Sequence, residues 1–118
     1  MKVAVVEDSQ AIIDMLKSTL QGEGHQVVSY TDPTGVEGKL AEEKPDLVLL
    51  DIVMPQRDGY QVLRALKRQP DTKGVPVVVV STKSETTDLK WAERQGANAY
   101  VTKPFTKEGL LETLKPYL

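Results

Sequence analysis

The sequence predicts an α/β domain in which five parallel strands alternate with helices laid on both faces of one sheet. Three observations predict it. The runs Val3-Ala4-Val5-Val6, Leu47-Val48-Leu49-Leu50 and Val77-Val78-Val79-Val80 are apolar throughout, the pattern of strands buried on both faces by covering helices. Between them the apolar residues recur every three or four positions, the period of a helix with one face toward a core. The chain has 118 residues, with no repeat, low-complexity tract or linker, which suits a single domain. Parallel strands joined by right-handed crossovers in this number are most simply doubly wound, with a functional crevice at their carboxyl ends.

Each element has its own signal. After the first run, Asp8 or Ser9 is placed to cap a helix whose stripe is Ile12, Ile13, Leu16 and Leu20, ended by Gly22 or Gly24. Gln26-Val27-Val28-Ser29-Tyr30 is a candidate outer strand. A second helix is expected over residues 33–43, with Asp32-Pro33 as its start and Val36, Leu40 and Ala41 as its stripe, although Gly35 and Gly38 each cost about 1 kcal/mol against Ala. A third follows Asp58, with Gln61 placed for a capping box and Leu63 and Leu66 facing inward, until Pro70 stops it. The fourth is expected over residues 84–95 with Gly96 past its end, the fifth strand over 98–101, and the last helix carries Leu110, Leu111, Leu114 and Leu118 behind a Thr106 cap.

Composition excludes several functions. With no cysteine there is no disulfide framework, zinc ribbon or thiol nucleophile. The 15 basic and 17 acidic residues form no long run of one sign, so nucleic acid and anionic membranes are not expected partners. The first apolar run stops after four residues at Glu7-Asp8, where a secretory core needs about 7 to 15 apolar residues and a membrane span about 20. A cytoplasmic protein is expected.

Chemistry gathers where strands end. Glu7 and Asp8 follow the first run, Asp51 the third, Ser81 the fourth and Lys103 the fifth. With the first and third strands adjacent, three carboxylates converge; two like charges about 5 Å apart repel by roughly 3 kcal/mol at an effective dielectric near 20. Their pKa values rise unless a cation answers them. Lys103, a bound metal, or both can do so, and an all-oxygen site with open positions suits Mg²⁺. An acid after a strand is often only a helix cap, and for Asp8 or Ser9 the two readings are even. Asp51 is different, because Ile52-Val53-Met54-Pro55 follows it and the next plausible cap is Asp58.

Taken together, Glu7-Asp8, Asp51-Ile52-Val53-Met54-Pro55 with Asp58-Gly59, Ser81, Tyr100 and Lys103-Pro104-Phe105 resemble the CheY-like receiver domain of two-component response regulators. The resemblance covers the whole chain and includes spacing: Asp51 is 43 residues after Asp8, Ser81 is 30 after Asp51, and Lys103 is 52 after Asp51. Val80-Ser81-Thr82-Lys83 and Trp91-Ala92-Glu93-Arg94-Gln95-Gly96-Ala97 are similar to single-domain regulators of type IV pilus and twitching-motility systems and their cyanobacterial phototaxis relatives.

The resemblance implies a flavodoxin-like (βα)5 three-layer sandwich with strand order 2-1-3-4-5. It implies that Asp51 accepts a phosphoryl group from a sensor histidine kinase, and that Asp8, Asp51 and the Val53 carbonyl hold Mg²⁺ with Glu7 at the rim through water. Lys103 and Ser81 would contact phosphoryl oxygens, and a cis Lys103-Pro104 bond would aim the lysine. Ser81 and Tyr100 would form the switch that changes the face of the fourth helix, fifth strand and fifth helix toward a downstream target. Such a protein is a signalling switch that catalyses only its own phosphoryl transfer and dephosphorylation. With no output domain after Leu118, the signal would pass by association, as a monomer or a weak phosphorylation-dependent dimer.

Two positions depart from chemotaxis receivers, which often carry polar or acidic groups two residues beyond the acceptor and the hydroxyl: Val53 cannot orient a water through its side chain, and Lys83 could shield the phosphoryl group. Trp91 reads as partly buried at a helix joint, against Thr87, Gln95 and neighbouring helices, ahead of an interface anchor. His25 has no partner at metal or catalytic spacing and is expected near the surface, and Arg64, Lys67 and Arg68 read as a solvated helix face. A phosphatase of the haloacid dehalogenase type would need a second Asp where Val53 stands. A flavodoxin would need a Gly- and hydroxyl-rich loop where Glu7-Asp8-Ser9-Gln10 would repel a phosphate. A binding module without phosphorylation would not need every acceptor position filled.

Overall fold

Strands and helices alternate from end to end of a computed structural model that describes residues 1–118. The order is β1 (Lys2–Val6), α1 (Gln10–Gly22), β2 (Gln26–Tyr30), α2 (Val36–Glu43), β3 (Leu47–Leu50), α3 (Gly59–Arg68), β4 (Val77–Ser81), α4 (Thr86–Arg94), β5 (Ala99–Thr102) and α5 (Lys107–Leu114), with a 3₁₀ turn at Lys115–Tyr117. The five strands form one sheet in the order β2-β1-β3-β4-β5, every pair parallel. Val3 lies opposite Leu47 and Val6 opposite Leu50, so β1 and β3 end level with each other.

The apolar runs do what their composition requires. Side chains alternate across a strand, so Val3, Val5, Leu47, Leu49, Val78 and Val80 face α1 and α5, meeting Ile13, Leu16, Leu20, Leu110 and Leu114. Ala4, Val6, Val48, Leu50 and Val77 face the other way, onto Val36, Leu40, Val62, Leu63 and Leu66 of α2 and α3. A smaller cluster of Ile52, Val79 and Ala92 seats α4. The result is the doubly wound three-layer sandwich expected of the sequence.

Local chemistry explains where boundaries differ. Ser9, not Asp8, caps α1, accepting the Ile12 N–H. At α2, the Asp32 carboxylate accepts the Thr34 N–H at 2.9 Å, closing a turn on itself, and Gly35 is left-handed (φ 65°), so the helix begins at Val36 rather than at Pro33. Asp58 caps α3 through the Tyr60 N–H, while Gln61 bonds it through its main-chain N–H; the capping box forms instead on α4, between Glu85 and Asp88, which moves that start to Thr86. The Asn98 side chain accepts the Val77 N–H, and β5 begins one residue later than expected. Pro116 offers no N–H to continue α5, which leaves Leu118 outside it. The basic cluster of α3 is only partly a solvated face: Arg68 is exposed, but Lys67 Nζ donates to the Val75 carbonyl and to Asn98 Oδ1 at 3.0 and 3.1 Å, and burial lowers its pKa. Arg64 reaches Gln95 on α4. His25 is half-buried, 3.4 Å from the Met1 amino group.

Gly59 is the tightest joint near the crevice. A Cβ there would meet Ile52 Cα at 2.3 Å and the Asp51 carbonyl oxygen at 2.4 Å. Only glycine lets the first turn of α3 pack this closely under the end of β3, and the Gly59 N–H uses that approach to donate to the Ile52 carbonyl at 3.1 Å.

Candidate functional site

Level strand ends bring the expected residues to one crevice. The Asp51 N–H donates to the Val6 carbonyl at 2.9 Å, tying the acid after β3 to the end of β1, and the Lys103 N–H donates to the Ser81 carbonyl at 2.7 Å, tying β5 to β4. One carboxylate oxygen each from Glu7, Asp8 and Asp51 lies within 4.8 Å of the others. Glu7 and Asp51 are buried and Asp8 is exposed, so the group opens on one side only. Lys103 reaches into it, hydrogen-bonding Glu7 Oε1 with its Nζ 3.7 Å from Asp51 Oδ2. The Lys103–Pro104 peptide bond is cis.

Electrostatics leaves this crevice short of positive charge. Burial pushes the Glu7 carboxyl above its ordinary range, against the pull of Lys103 and the Ser9 N–H. Burial likewise pushes Asp51 up, while the Val53 N–H and Lys103 draw it down and Asp8 adds to the rise. One ammonium faces three carboxylates. The donor set is all oxygen, two members are held by neighbouring hydrogen bonds and one is open to water. This set fits a hard divalent cation such as Mg²⁺, which keeps several waters of its own.

The other expected residues lie just after β3, on β4 and on β5. The Val53 N–H donates to Asp51 Oδ1 at 3.1 Å, while its side chain is 48% exposed. Ser81 is fully buried, and its Oγ accepts the Lys83 N–H at 3.2 Å. The Lys83 carbonyl in turn accepts the Tyr100 hydroxyl at 2.8 Å, so the Lys83 main chain links Ser81 to Tyr100, a connection that a reading of Lys83 as a charge alone missed. The Tyr100 ring packs on Ile52, Val79 and Ala92 beside a groove of about 430 Å³ between α4 and β5, lined by Leu89, Glu93 and Ala99 among others. Trp91 on α4 is 46% exposed and meets Tyr60 of α3 edge-on, with ring centres 6.3 Å apart. Sequence reasoning placed Trp91 at a helix joint but missed Tyr60, whose hydroxyl burial pushes up to about 12.

A sheet of this order with acids, a hydroxyl and a lysine at its strand ends defines a receiver, and residues 3–115 match the family model for the response regulator receiver domain. The chain belongs to that family, whose members are signalling switches of two-component systems. It is 39% identical over 117 residues to protein PilH of Pseudomonas aeruginosa, covering 99% of this chain and 97% of that one. Among solved structures it resembles chemotaxis protein CheY4 of Vibrio cholerae, with a TM-score of 0.91 and 30% identity over 99% of this chain and 98% of that one. It also resembles the Mn²⁺-bound form of response regulator Rcp1, with a TM-score of 0.82 and 28% identity over 98% and 89%. No helix is long and apolar enough to cross a membrane.

Proposed function

We propose that this receiver is switched by phosphorylation of Asp51, with Mg²⁺ held by Asp8, Asp51 and the Val53 carbonyl and with Glu7 at the rim. The observation that carries the reading is the crevice itself, where three carboxylates share a single ammonium. The Mn²⁺-bound state of the similar Rcp1 supports a divalent cation there. Bound, the cation neutralises charge on the phosphoryl oxygens.

The chain's own residues do the rest. An Asp51 carboxylate oxygen attacks phosphorus as the P–N bond of a kinase phosphohistidine breaks; the electron pair stays on the imidazole nitrogen, which takes up a proton. Lys103 exchanges its carboxylate partners for a phosphoryl oxygen, and the Ser81 hydroxyl donates to another. Phosphorylation adds about 1.5 to 2 negative charges. Drawing Ser81 inward pulls on the Lys83 N–H it accepts from, and so on the carbonyl that holds Tyr100. That path carries the event to the α4-β5-α5 face and its groove, where a downstream protein docks. Relatives named for PilH and for chemotaxis support an output in motility or taxis. The chain works in the cytoplasm, as a monomer or a weak phosphorylation-dependent dimer.

Incubation with Mg²⁺ and acetyl phosphate, read by intact mass, tests this. The wild type is expected to gain one labile phosphoryl group without hydrolysing unrelated esters, and Asp51→Asn to gain none while folding normally. Robust labelling of Asp51→Asn would overturn the assignment.

A further inference from the structure

Arg57 sits between β3 and α3, six residues after Asp51 and four after Val53, and nothing in the proposed chemistry uses it. Its guanidinium leaves its own loop and bridges two points of the β2–α2 region. Nη1 donates to the Pro33 carbonyl at 3.3 Å, and Nη2 lies 2.5 Å from Glu37 Oε2, both side chains being only 22% exposed. This hydrogen bond is the main reason the Glu37 carboxyl lies below its ordinary range. A planar fork that meets a carboxylate and a carbonyl together fixes direction as well as distance, which an ammonium does not.

The clamp joins a short helix to a loop. The helix α2 has eight residues, a left-handed Gly35 at its cap and no side-chain cap hydrogen bond. The loop is pinned at its ends, by the Val53 N–H on Asp51 and by the Gly59 N–H on Ile52. Between those ends Met54 buries its side chain against the α2 and α3 layer, and Arg57 reaches across to the Pro33 carbonyl and the Glu37 carboxylate. Gln69, at the far end of α3, donates to the Glu37 carbonyl at 2.9 Å, so a second side chain holds the same residue of α2.

We propose that Arg57 is a positioning residue for the phosphoryl-transfer site: its clamp on Pro33 and Glu37 holds the β3–α3 loop so that the Val53 carbonyl meets the divalent cation at the right place. The inference rests on the reading of Asp51 and its metal given above. A loose loop offers the carbonyl in many orientations, and cation binding must then order it, which lowers affinity without altering the chemistry once the cation is bound.

The test compares wild type with Arg57→Met, which keeps the apolar stem, Arg57→Lys, which keeps the charge, and Glu37→Gln. Mg²⁺ affinity is measured by calorimetry on the unphosphorylated chain, loop amide exchange on the metal-free chain, and phosphorylation rate by acetyl phosphate as a function of Mg²⁺. Partners one step removed from a metal typically change affinity by about 10- to 100-fold, and Arg57 acts one step further out, so Arg57→Met should raise the Mg²⁺ dissociation constant about three- to tenfold. Faster exchange of the Val53 amide should accompany it, with the rate at saturating Mg²⁺ unchanged and the Lys variant intermediate. Unchanged Mg²⁺ affinity in a variant that melts earlier would reduce Arg57 to a strut and overturn the proposal. Failure of the wild type to bind Mg²⁺ would instead sink the site reading, and Arg57 with it.

Discussion

Val53 puts a half-exposed isopropyl group two residues beyond the proposed acceptor, where the proposed chemistry would bring a hydrolytic water to the phosphoryl group. A carboxamide there could hold that water in line, and positioning of this kind changes rates steeply. Val53→Asn is expected to speed dephosphorylation roughly three- to tenfold, measured as decay of the phosphorylated chain after removal of donor; an unchanged decay rate would count against a positional role. Glu7, Asp51 and Ser81 were legible as residues because each directly follows an apolar run, and Asp8 and Lys103 because each lies one residue further on after a strand run; parallel strands that end level deliver such residues to one place. Tyr100 and the Val53 carbonyl entered only through the family resemblance. Arg57 was legible by neither route. Its partner carbonyl is 24 residues away in sequence, and the contact depends on how α2 lies over the sheet, which no local pattern encodes.

Among the elements, α3 and α2 show why the strands were easier to place than the helix starts. A strand buried on both faces has one compositional signature, and β3 matched its run residue for residue. A helix start is decided by competing hydrogen bonds of a few side chains, as when Asp32 spends its carboxylate on Thr34 and α2 begins later. Two glycines test this difference between geometry and propensity. At Gly59 a methyl would collide with main-chain atoms of Asp51 and Ile52, so Gly59→Ala is expected to destabilise by about 2 to 3 kcal/mol through overpacking. At Gly38, inside α2, nothing lies within 4 Å of the place a methyl would take, and Gly38→Ala should stabilise by about 0.5 to 1 kcal/mol on helix propensity alone. Urea unfolding of both variants checks the pair, and equal effects of the same sign would mean that α3 does not pack as tightly on the acceptor strand as these distances require.

At the scale of the whole molecule, a formal charge of -2 conceals a crevice in which two buried carboxylates and one exposed carboxylate face a single ammonium. Burial raises the Asp51 and Glu7 carboxyls, so their ionised forms oppose folding when no cation is bound. The fold therefore tolerates a local cost at the one place where the proposed function needs negative charge. Mg²⁺ should relieve it. At ten times its dissociation constant a ligand of the folded state adds about 1.4 kcal/mol, which for a domain of this size raises Tm by roughly 5 °C. Asp51→Asn removes one of the opposing charges while its carboxamide oxygen can still accept the Val53 N–H. In EDTA that variant is expected to melt above wild type, and on adding Mg²⁺ to gain little, so that the two melting curves converge or cross. A lower Tm for Asp51→Asn in EDTA would show that the carboxylate is stabilised where it sits, by Lys103 and the Val53 N–H, and that the crevice is not poised for a cation.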